Sequence, residues 1–168
     1  MQTSNDVSQF RKLMSHFVTG VTVVTTASGN EIHGLTCNTF CSVSLDPCTV
    51  MVSVAKDARS WSLIERSRIF AVNILSQTQS YVSDRFAGRH KDKDNDRFDG
   101  IKWMTAATGA PILRETQGYL DCRVKQAYDG GSHTLFLGDV VILAVDDTQS
   151  PLVFYQSRYM GVGGFKSI

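Results

Sequence analysis

Runs of β-branched and apolar residues follow one another along this chain of 168 residues, and most are separated by little more than a turn. Such runs predict strands. They lie at 21–26, 31–35, 40–45, 49–55, 69–75, 119–128, 134–145 and 152–155. Because strand follows strand by hairpins and not through alternating helices, the pattern argues against a doubly wound α/β sheet. It predicts a mainly β fold, an antiparallel barrel or sandwich.

Helical spacing interrupts the strands at three places. Residues 5–17 predict a helix with five apolar side chains on one face, namely Val7, Phe10, Leu13, Met14 and Phe17. Residues 58–66 and 77–86 predict two further helices. The mixed-charge segment 88–100 predicts a solvated surface loop, with a mobile lid beside a site as the alternative.

Charge and length narrow the functional class. The net charge is +1 and charged residues make up 20% of the chain, which argues against a nucleic-acid-binding protein, since such proteins carry a basic excess. No apolar run is long enough to span a membrane, and the first residues lack the basic and apolar regions of a signal peptide. The sequence predicts a single domain over residues 1–168, located in the cytoplasm, without nucleic-acid or membrane partners.

Segment 33–48 is rich in small and polar side chains although β-branched runs flank it. This composition predicts contact with a large, flat, polar ligand, and small packing residues are the alternative. His33, Cys37, Cys41 and Cys48 match zinc ligands by residue type. Residues four apart on a strand, however, are about 13 Å apart, too far for one tetrahedral site. We therefore predict no metal.

Common catalytic motifs are absent from the sequence. There is no Gly-x-Gly-x-x-Gly between a strand and a helix, no Gly-x-x-x-x-Gly-Lys and no Gly-x-Ser-x-Gly. Ser132 and His133 are neighbours in a predicted strand region, where adjacent side chains point to opposite faces, so they are not expected to form a nucleophile–base pair. Hydrolase chemistry and Rossmann-type nucleotide binding are poorly supported.

Several segments, in order, resemble the flavin reductase-like family, the small reductase components of two-component flavin monooxygenases. The most characteristic is Thr-Cys-Asn-Thr-Phe-Cys-Ser-Val-Ser-Leu-Asp-Pro at 36–47. The others are 17–25, 70–75, 85–88 followed by 97–100, 131–140 and 151–159. Each segment is weakly specific alone, but together they span about residues 8–160 in the family's order.

The resemblance implies a split β-barrel that forms a homodimer and binds flavin at the subunit interface. It implies reduction of FMN or FAD by NADH or NADPH, with the reduced flavin passed to a separate flavin-dependent monooxygenase component. The protein would then be an NAD(P)H:flavin oxidoreductase.

The resemblance also implies a flavin-binding set. Its members are Thr36, Cys37, Asn38, Thr39, Ser53, Ala55, Ser60, Arg85 and Phe86. Thr36 and Asn38 suit the carbonyl edge of the ring, where negative charge develops on reduction. The alternative for both is that they satisfy strand ends. Phe86 would cover the ring or the ribityl edge, but its helical spacing equally predicts a core position.

The flavin phosphate would be bound by Ser53, the Ala55 amide, Ser60 and Arg85, as the resemblance implies. Ser60 also fits the N-cap of a helix over 60–66, a role compatible with phosphate binding. The alternative for Arg85 is a surface charge.

His133, Arg158 and Tyr159 correspond to the family's nicotinamide-side residues, and His133 is the one implied in catalysis. Its task would be to position the dinucleotide and tune charge, because orientation is the main catalytic contribution in hydride transfer. The alternative for His133 is a half-exposed strand histidine. The alternative for Arg158 and Tyr159 is a strand end that closes the barrel. The chain departs from the family pattern at Ser132, which replaces an aspartate, and at Cys48, which replaces a proline.

Two other functions remain open on the sequence alone. A non-catalytic split barrel that carries flavin or haem would need no nicotinamide site, so His133 argues against it. An FMN oxidase like the pyridoxamine-phosphate oxidases would need a basic pocket for a phosphorylated substrate, and no such cluster of Arg and Lys stands out.

Overall fold

The computed structural model describes residues 6–89 and 96–162. Within these residues the chain forms three helices, α1 (Val7–Met14), α2 (Arg59–Ser67) and α3 (Ser80–Phe86). The strands, in chain order, are β1 (Thr19–Gly20), β2 (Thr22–Ser28), β3 (Glu31–Cys37), β4 (Phe40–Leu45), β5 (Cys48–Ala55), β6 (Ile69–Ile74), β7 (Trp103–Thr105), β8 (Pro111–Leu113), β9 (Gly118–Asp129), β10 (His133–Val145), β11 (Leu152–Tyr155) and β12 (Arg158–Gly161). The prediction of a mainly β fold with a few helices is confirmed.

Seven strands form the main sheet in the order β3-β2-β6-β9-β10-β5-β4, and all neighbouring pairs in it are antiparallel. A smaller sheet has the order β1-β11-β12, and β7 pairs with β8. The register of β5 against β10 places Ala55 opposite His133 and Ser53 opposite Leu135. Residues far apart in sequence are thereby brought to one end of one strand pair.

Alternation along β5 separates a core face from an outer face. Val50, Val52 and Val54 are buried, whereas Ser53 and Ala55 between and beyond them are partly exposed. The valines pack in one apolar cluster with residues of α2, β6 and β10, namely Ile64, Phe70 and Phe136. Burial of each such side chain stabilises the fold by about 1.5–3 kcal/mol. The outer face of β5 and β10 thus remains available for polar functions.

Helix α3 packs closely against the edge strand β3. Phe86 is fully buried in a second cluster with Val23, Leu75 and Phe98. The close approach depends on Gly34, because a Cβ there would lie 2.6 Å from Cε1 of Phe86. The C-terminal end of α3 is therefore fixed beside the end of β3.

Helix α1 forms as the apolar spacing predicts, and the Asp6 side chain caps it by accepting from the Ser8 amide at 2.9 Å. Its apolar face, however, has no partner within the described residues, and Phe10, Leu13 and Phe17 are 64%, 70% and 68% exposed. Within the same residues, no helix combines the length and apolar content needed to cross a bilayer.

The predicted helices and strands are confirmed, apart from shifts of a few residues at their ends. The sequence did not predict β1, β7, β8 and β12, which are two to four residues long. The prediction that Ser60 is an N-cap is wrong, since α2 begins at Arg59 and its N-cap residue is Ala58. Part of the predicted loop 88–100, including His90, lies outside the described residues.

Candidate functional site

A cleft of about 180 Å³ opens beside the C-terminal end of α3. The residues that line it come from the junction between β1 and β2, from β3 and its end, from α3 and the turn after it, and from the β11–β12 hairpin. They are Val21, Thr36, Asn38, Ser83, Ala87, Arg89, Phe154 and Tyr159. The cleft thus brings together two predicted flavin residues and one predicted nicotinamide residue, Thr36, Asn38 and Tyr159.

The polar side chains of the cleft form a connected set. Thr36 Oγ1 donates to the Ser83 carbonyl at 2.5 Å, which joins β3 to α3. Tyr159 Oη donates to Asp84 Oδ1 at 2.7 Å and lies 2.9 Å from Ser83 Oγ, which joins β12 to α3. Burial raises the pKa of Tyr159, and the neighbouring Asp84 carboxylate acts in the same direction. Tyr159 is therefore held as a neutral phenol with its hydroxyl engaged by the protein.

Segment 36–39 also contacts β5, a strand near the opposite edge of the main sheet. Thr39 Oγ1 donates to the Ser53 carbonyl at 3.1 Å, and the Ser53 amide donates to the Thr39 carbonyl at 3.3 Å. Cys37 is buried, with its Sγ 2.9 Å from Thr39 Oγ1. Burial raises the pKa of the Cys37 thiol, so this cysteine serves as a neutral packing group.

The outer face of β5 and β10 carries the other predicted residues. Ala55 lies opposite His133, and Ser53 lies two residues before Ala55 on the same face. His133 is exposed, and its Nδ1 lies 2.9 Å from Ser132 Oγ. The expectation that these two side chains diverge is wrong, because Ser132 lies in the bend before β10, where strand alternation does not apply. The structure therefore places Ser53, Ala55 and His133 on one ledge that adjoins Thr39.

The structure places two predicted flavin residues in the interior. Phe86 is fully buried beneath Gly34 with its ring 5.0 Å from that of Phe98, so the core alternative is correct for it. Ser60 is also fully buried, and its Oγ lies 2.6 Å from Nδ1 of His33. Neither side chain is open to a ligand in this structure.

Arg85 and Arg158 lie near the cleft without lining it. Arg85 donates to the carbonyls of Arg97 and Asp96 at 3.2 and 3.1 Å and lies 3.5 Å from the Asp99 carboxylate. It thus anchors the segment that follows residue 95. Arg158 is exposed and precedes Tyr159 on β12, so its side chain points away from the face that Tyr159 presents.

His33, which the sequence matched to a zinc ligand only by residue type, is a partly buried histidine in β3. Burial, aided by the positive charges of Arg97 and Arg59, lowers the pKa of His33 to about 4. The folded protein therefore holds this imidazole neutral and bonded to Ser60.

We expect the free energy of unfolding to fall as the pH drops from 6.5 towards about 4. In that window the unfolded chain takes up a proton at His33 and the folded chain does not. Urea unfolding at about pH 7 and about pH 5 measures the loss. A His33→Gln variant, which keeps a polar group for Ser60 but does not titrate, should lose less stability between the two pH values. Equal losses in the two proteins would contradict the role of His33.

The sequence did not predict Ser83, Asp84, Arg89 or Phe154 as site residues. Arg89 follows α3 and forms an ion pair with Asp84 at 2.6 Å. The one sequence signal for Arg89 was that it directly follows the family-like segment Arg-Phe-Ala-Gly at 85–88. Arg89 was assigned to the predicted charged loop 88–100 instead.

Comparison with known proteins agrees with the fold. The family model described as "Flavin reductase like domain" matches residues 14–163. The reductase subunit HsaB of a flavin-dependent monooxygenase from Rhodococcus jostii is 37% identical over 163 residues, which cover 97% of this chain and 82% of that protein. An NADH-dependent FAD reductase from Streptomyces globisporus is 35% identical, over 92% of this chain and 85% of that protein.

Solved structures agree with the sequence comparison. The NADH:FAD oxidoreductase SgcE6 of Streptomyces globisporus superposes with a TM-score of 0.90 at 33% identity, over 98% of each chain. The flavin reductase PheA2 superposes with a TM-score of 0.87 at 36% identity, over 95% of this chain and 99% of that one. From its sequence and its structure, this chain belongs to the flavin reductase-like domain family.

Proposed function

We propose that this protein reduces FAD or FMN with NADH or NADPH and supplies the reduced flavin to a separate monooxygenase component. Relatives with these activities support the proposal, since they include an NADH-dependent FAD reductase and an NADH-dependent FMN reductase at 35% and 36% identity. The monooxygenase partner is supported by HsaB, a reductase subunit by name.

The observation that carries the proposal is the position of segment 36–39. This segment lines the cleft through Thr36 and Asn38 and contacts Ser53 through Thr39. Exposed Asn38 offers an amide donor, and the chain nearby offers further hydroxyls and amides. A flavin ring requires donors of this kind at its carbonyl edge, so the residues present fit the group.

When bound, flavin supplies the electron-accepting ring and the nicotinamide supplies the hydride. The residues of this chain bind and orient the two molecules. In our proposal Asn38 and the backbone amides beside it donate to the ring edge, and Thr36, whose hydroxyl donates to the Ser83 carbonyl, lines that edge. Ser53 and the Ala55 amide hold polar groups of the ribityl phosphate chain of the flavin. His133, at the end of the same ledge, positions the nicotinamide nucleotide.

An anaerobic stopped-flow experiment tests the function. Protein, NADH or NADPH, and FMN or FAD are mixed, and bleaching of the flavin absorption band is followed. We expect rapid bleaching with at least one of the four pairs. Absence of nucleotide-dependent bleaching with all four would refute the function, and would favour a flavin carrier.

His133→Ala is expected to raise the KM for the nicotinamide nucleotide about tenfold and to change the Kd for flavin much less, because one positioning contact is lost. Steady-state kinetics with each substrate varied, together with flavin titration, separates the two effects. His16→Ala, which alters an exposed histidine outside the cleft, is the control. An equal loss of nucleotide use and flavin binding would contradict the assigned role.

We further propose that the domain is a split β-barrel and functions as a homodimer. The last part of β10 supports self-association, since Val141, Ile142, Leu143 and Val145 are all 44–67% exposed, on both faces of the strand. The apolar face of α1 is exposed as well. Monomeric proteins rarely leave such extended apolar surface in water.

Sedimentation equilibrium should therefore give twice the mass of one chain for the wild-type protein. Leu143→Asp is expected to shift the protein towards the monomer, because a carboxylate buried in an apolar interface is unpaired. Leu143→Met, which keeps the position apolar, should leave the dimer intact. A monomeric wild-type protein at micromolar concentration would overturn this proposal.

A further inference from the structure

We propose that Arg89 binds a phosphate or pyrophosphate group of a nucleotide in the cleft, and that Asp84 positions it. The inference deepens the proposed function and rests on it, because flavin nucleotides and nicotinamide dinucleotides both carry this group. Arg89 would be a binding residue of the site, and Asp84, which acts through Arg89, a positioning residue.

The first observation is the charge of the cleft. Among the described residues that line it, Arg89 is the one with a charged side chain, and the others are polar or apolar. An anionic group entering this cleft therefore meets a single cation. Thr36 and Asn38, which we assign to the ring edge, line the same cleft.

The second observation is how Arg89 is held. Its Nη1 donates to Asp84 Oδ1 at 2.6 Å and lies 3.4 Å from Tyr159 Oη. Its backbone amide donates to the Asp84 carbonyl at 3.0 Å. Both the side chain and the backbone of Arg89 are therefore fixed to the end of α3.

The third observation is what these contacts leave available. A guanidinium has five N–H donors, and the contacts within the described part of the chain use Nη1. The Arg89 side chain is 54% exposed, and its contacts with other side chains in the described part of the chain use neither Nε nor Nη2. These donors have the fork geometry that matches two oxygens of a phosphate.

Asp84 forms an ion pair with Arg89 but engages only one of its nitrogens, Nη1. The Asp84 carboxylate accepts from the Tyr159 hydroxyl at 2.7 Å as well as from Arg89. Its acceptor capacity is divided between a neutral donor and a cation, and it fixes Arg89 through one nitrogen only. A ligand phosphate would then add to this arrangement without displacing Asp84.

The test compares substrates with and without phosphate in the Arg89→Met variant. Flavins are riboflavin, FMN and FAD, and hydride donors are NADH and reduced nicotinamide riboside. We expect kcat/KM for the phosphate-bearing member of one series to fall about tenfold to a hundredfold, because charge-assisted hydrogen bonds are lost. The phosphate-free member of that series should change less than twofold. A selective loss in the flavin series assigns the flavin phosphate, and one in the donor series assigns the dinucleotide.

Two further variants test whether the loss in Arg89→Met comes from phosphate binding. Arg89→Lys should recover part of the lost kcat/KM, since the charge returns without the fork. Arg66→Met is the matched control, because Arg66 is an exposed arginine in an ion pair with Glu31 and does not line the cleft. Equal losses for phosphate-bearing and phosphate-free substrates, or no loss, would overturn the proposal.

A binding measurement separates this proposal from the proposed function. Isothermal titration calorimetry with ADP, a diphosphate that is neither flavin nor nicotinamide, should give a Kd at least tenfold weaker for Arg89→Met than for wild type and Arg66→Met. If the wild type bleaches no flavin but shows this difference, the function fails and the phosphate site stands. If it reduces flavin and ADP affinity is the same in all three proteins, the site fails and the function stands.

Discussion

Replacing Asn73 by leucine is expected to lower the free energy of unfolding by about 3–5 kcal/mol, because buried polar groups would lose their partners. Asn73 is fully buried on β6. Its Nδ2 donates to the Val23 carbonyl at 3.0 Å and to Thr25 Oγ1 at 3.1 Å, and its Oδ1 accepts from the Leu113 amide at 2.8 Å. One amide thus links β6, β2 and β8.

Urea denaturation measures this loss as a lower midpoint at an unchanged m-value. Asn30→Leu, at an exposed asparagine in the β2–β3 turn, is the matched control and should change stability by less than about 1 kcal/mol. A loss in Asn73→Leu no larger than in this control would show that Leu113 and Val23 find other partners.

Replacing Gly34 by valine is expected to cost about 3 kcal/mol and to weaken flavin use as well, because the added atoms meet a packed wall. A Cβ at this position lies 2.6 Å from Cε1 of Phe86 and 3.2 Å from Cγ2 of Thr25. Arg97 Nη1 donates to the carbonyls of both Gly34 and Phe86, at 2.9 and 2.8 Å, so β3 and α3 cannot separate freely. Any movement of Phe86 shifts α3, and Ser83, which lies on α3 and lines the cleft, moves with it.

Thermal unfolding and flavin titration of the same sample measure the two effects. Gly20→Val is the matched control, since a Cβ at Gly20 has nothing within 4 Å. Normal stability and flavin affinity in Gly34→Val would mean that α3 can move away from β3 without disturbing the cleft.

Sequence periodicity predicted the long helices and strands well, because each buries one face and its apolar residues therefore recur at a regular spacing. The alternation of Val50, Val52 and Val54 on β5 is an example. The short strands were missed because two to four residues are too few to show a period.

The lining of the candidate cleft was predicted in part, and the residues that were misplaced or missed have a common cause. The local sequence places Phe86 and Ser60 in helical segments, but it does not say whether their side chains face the core or a ligand. The partners that bury them, Gly34 and His33, come from another element. Asp84 and Arg89 were missed for the same reason, since their role appears only when β12 brings Tyr159 to them.

The 13-residue strand β10 begins at His133 and ends at Val145, the last residue of the exposed apolar stretch that begins at Val141. At about 3.4 Å per residue, eight residues of one strand separate His133 from Val141 by roughly 27 Å. A single strand therefore carries the proposed nicotinamide contact, His133, at one end and the proposed dimer surface at the other. Turnover per chain should then depend on protein concentration, and dilution would act as an inhibitor.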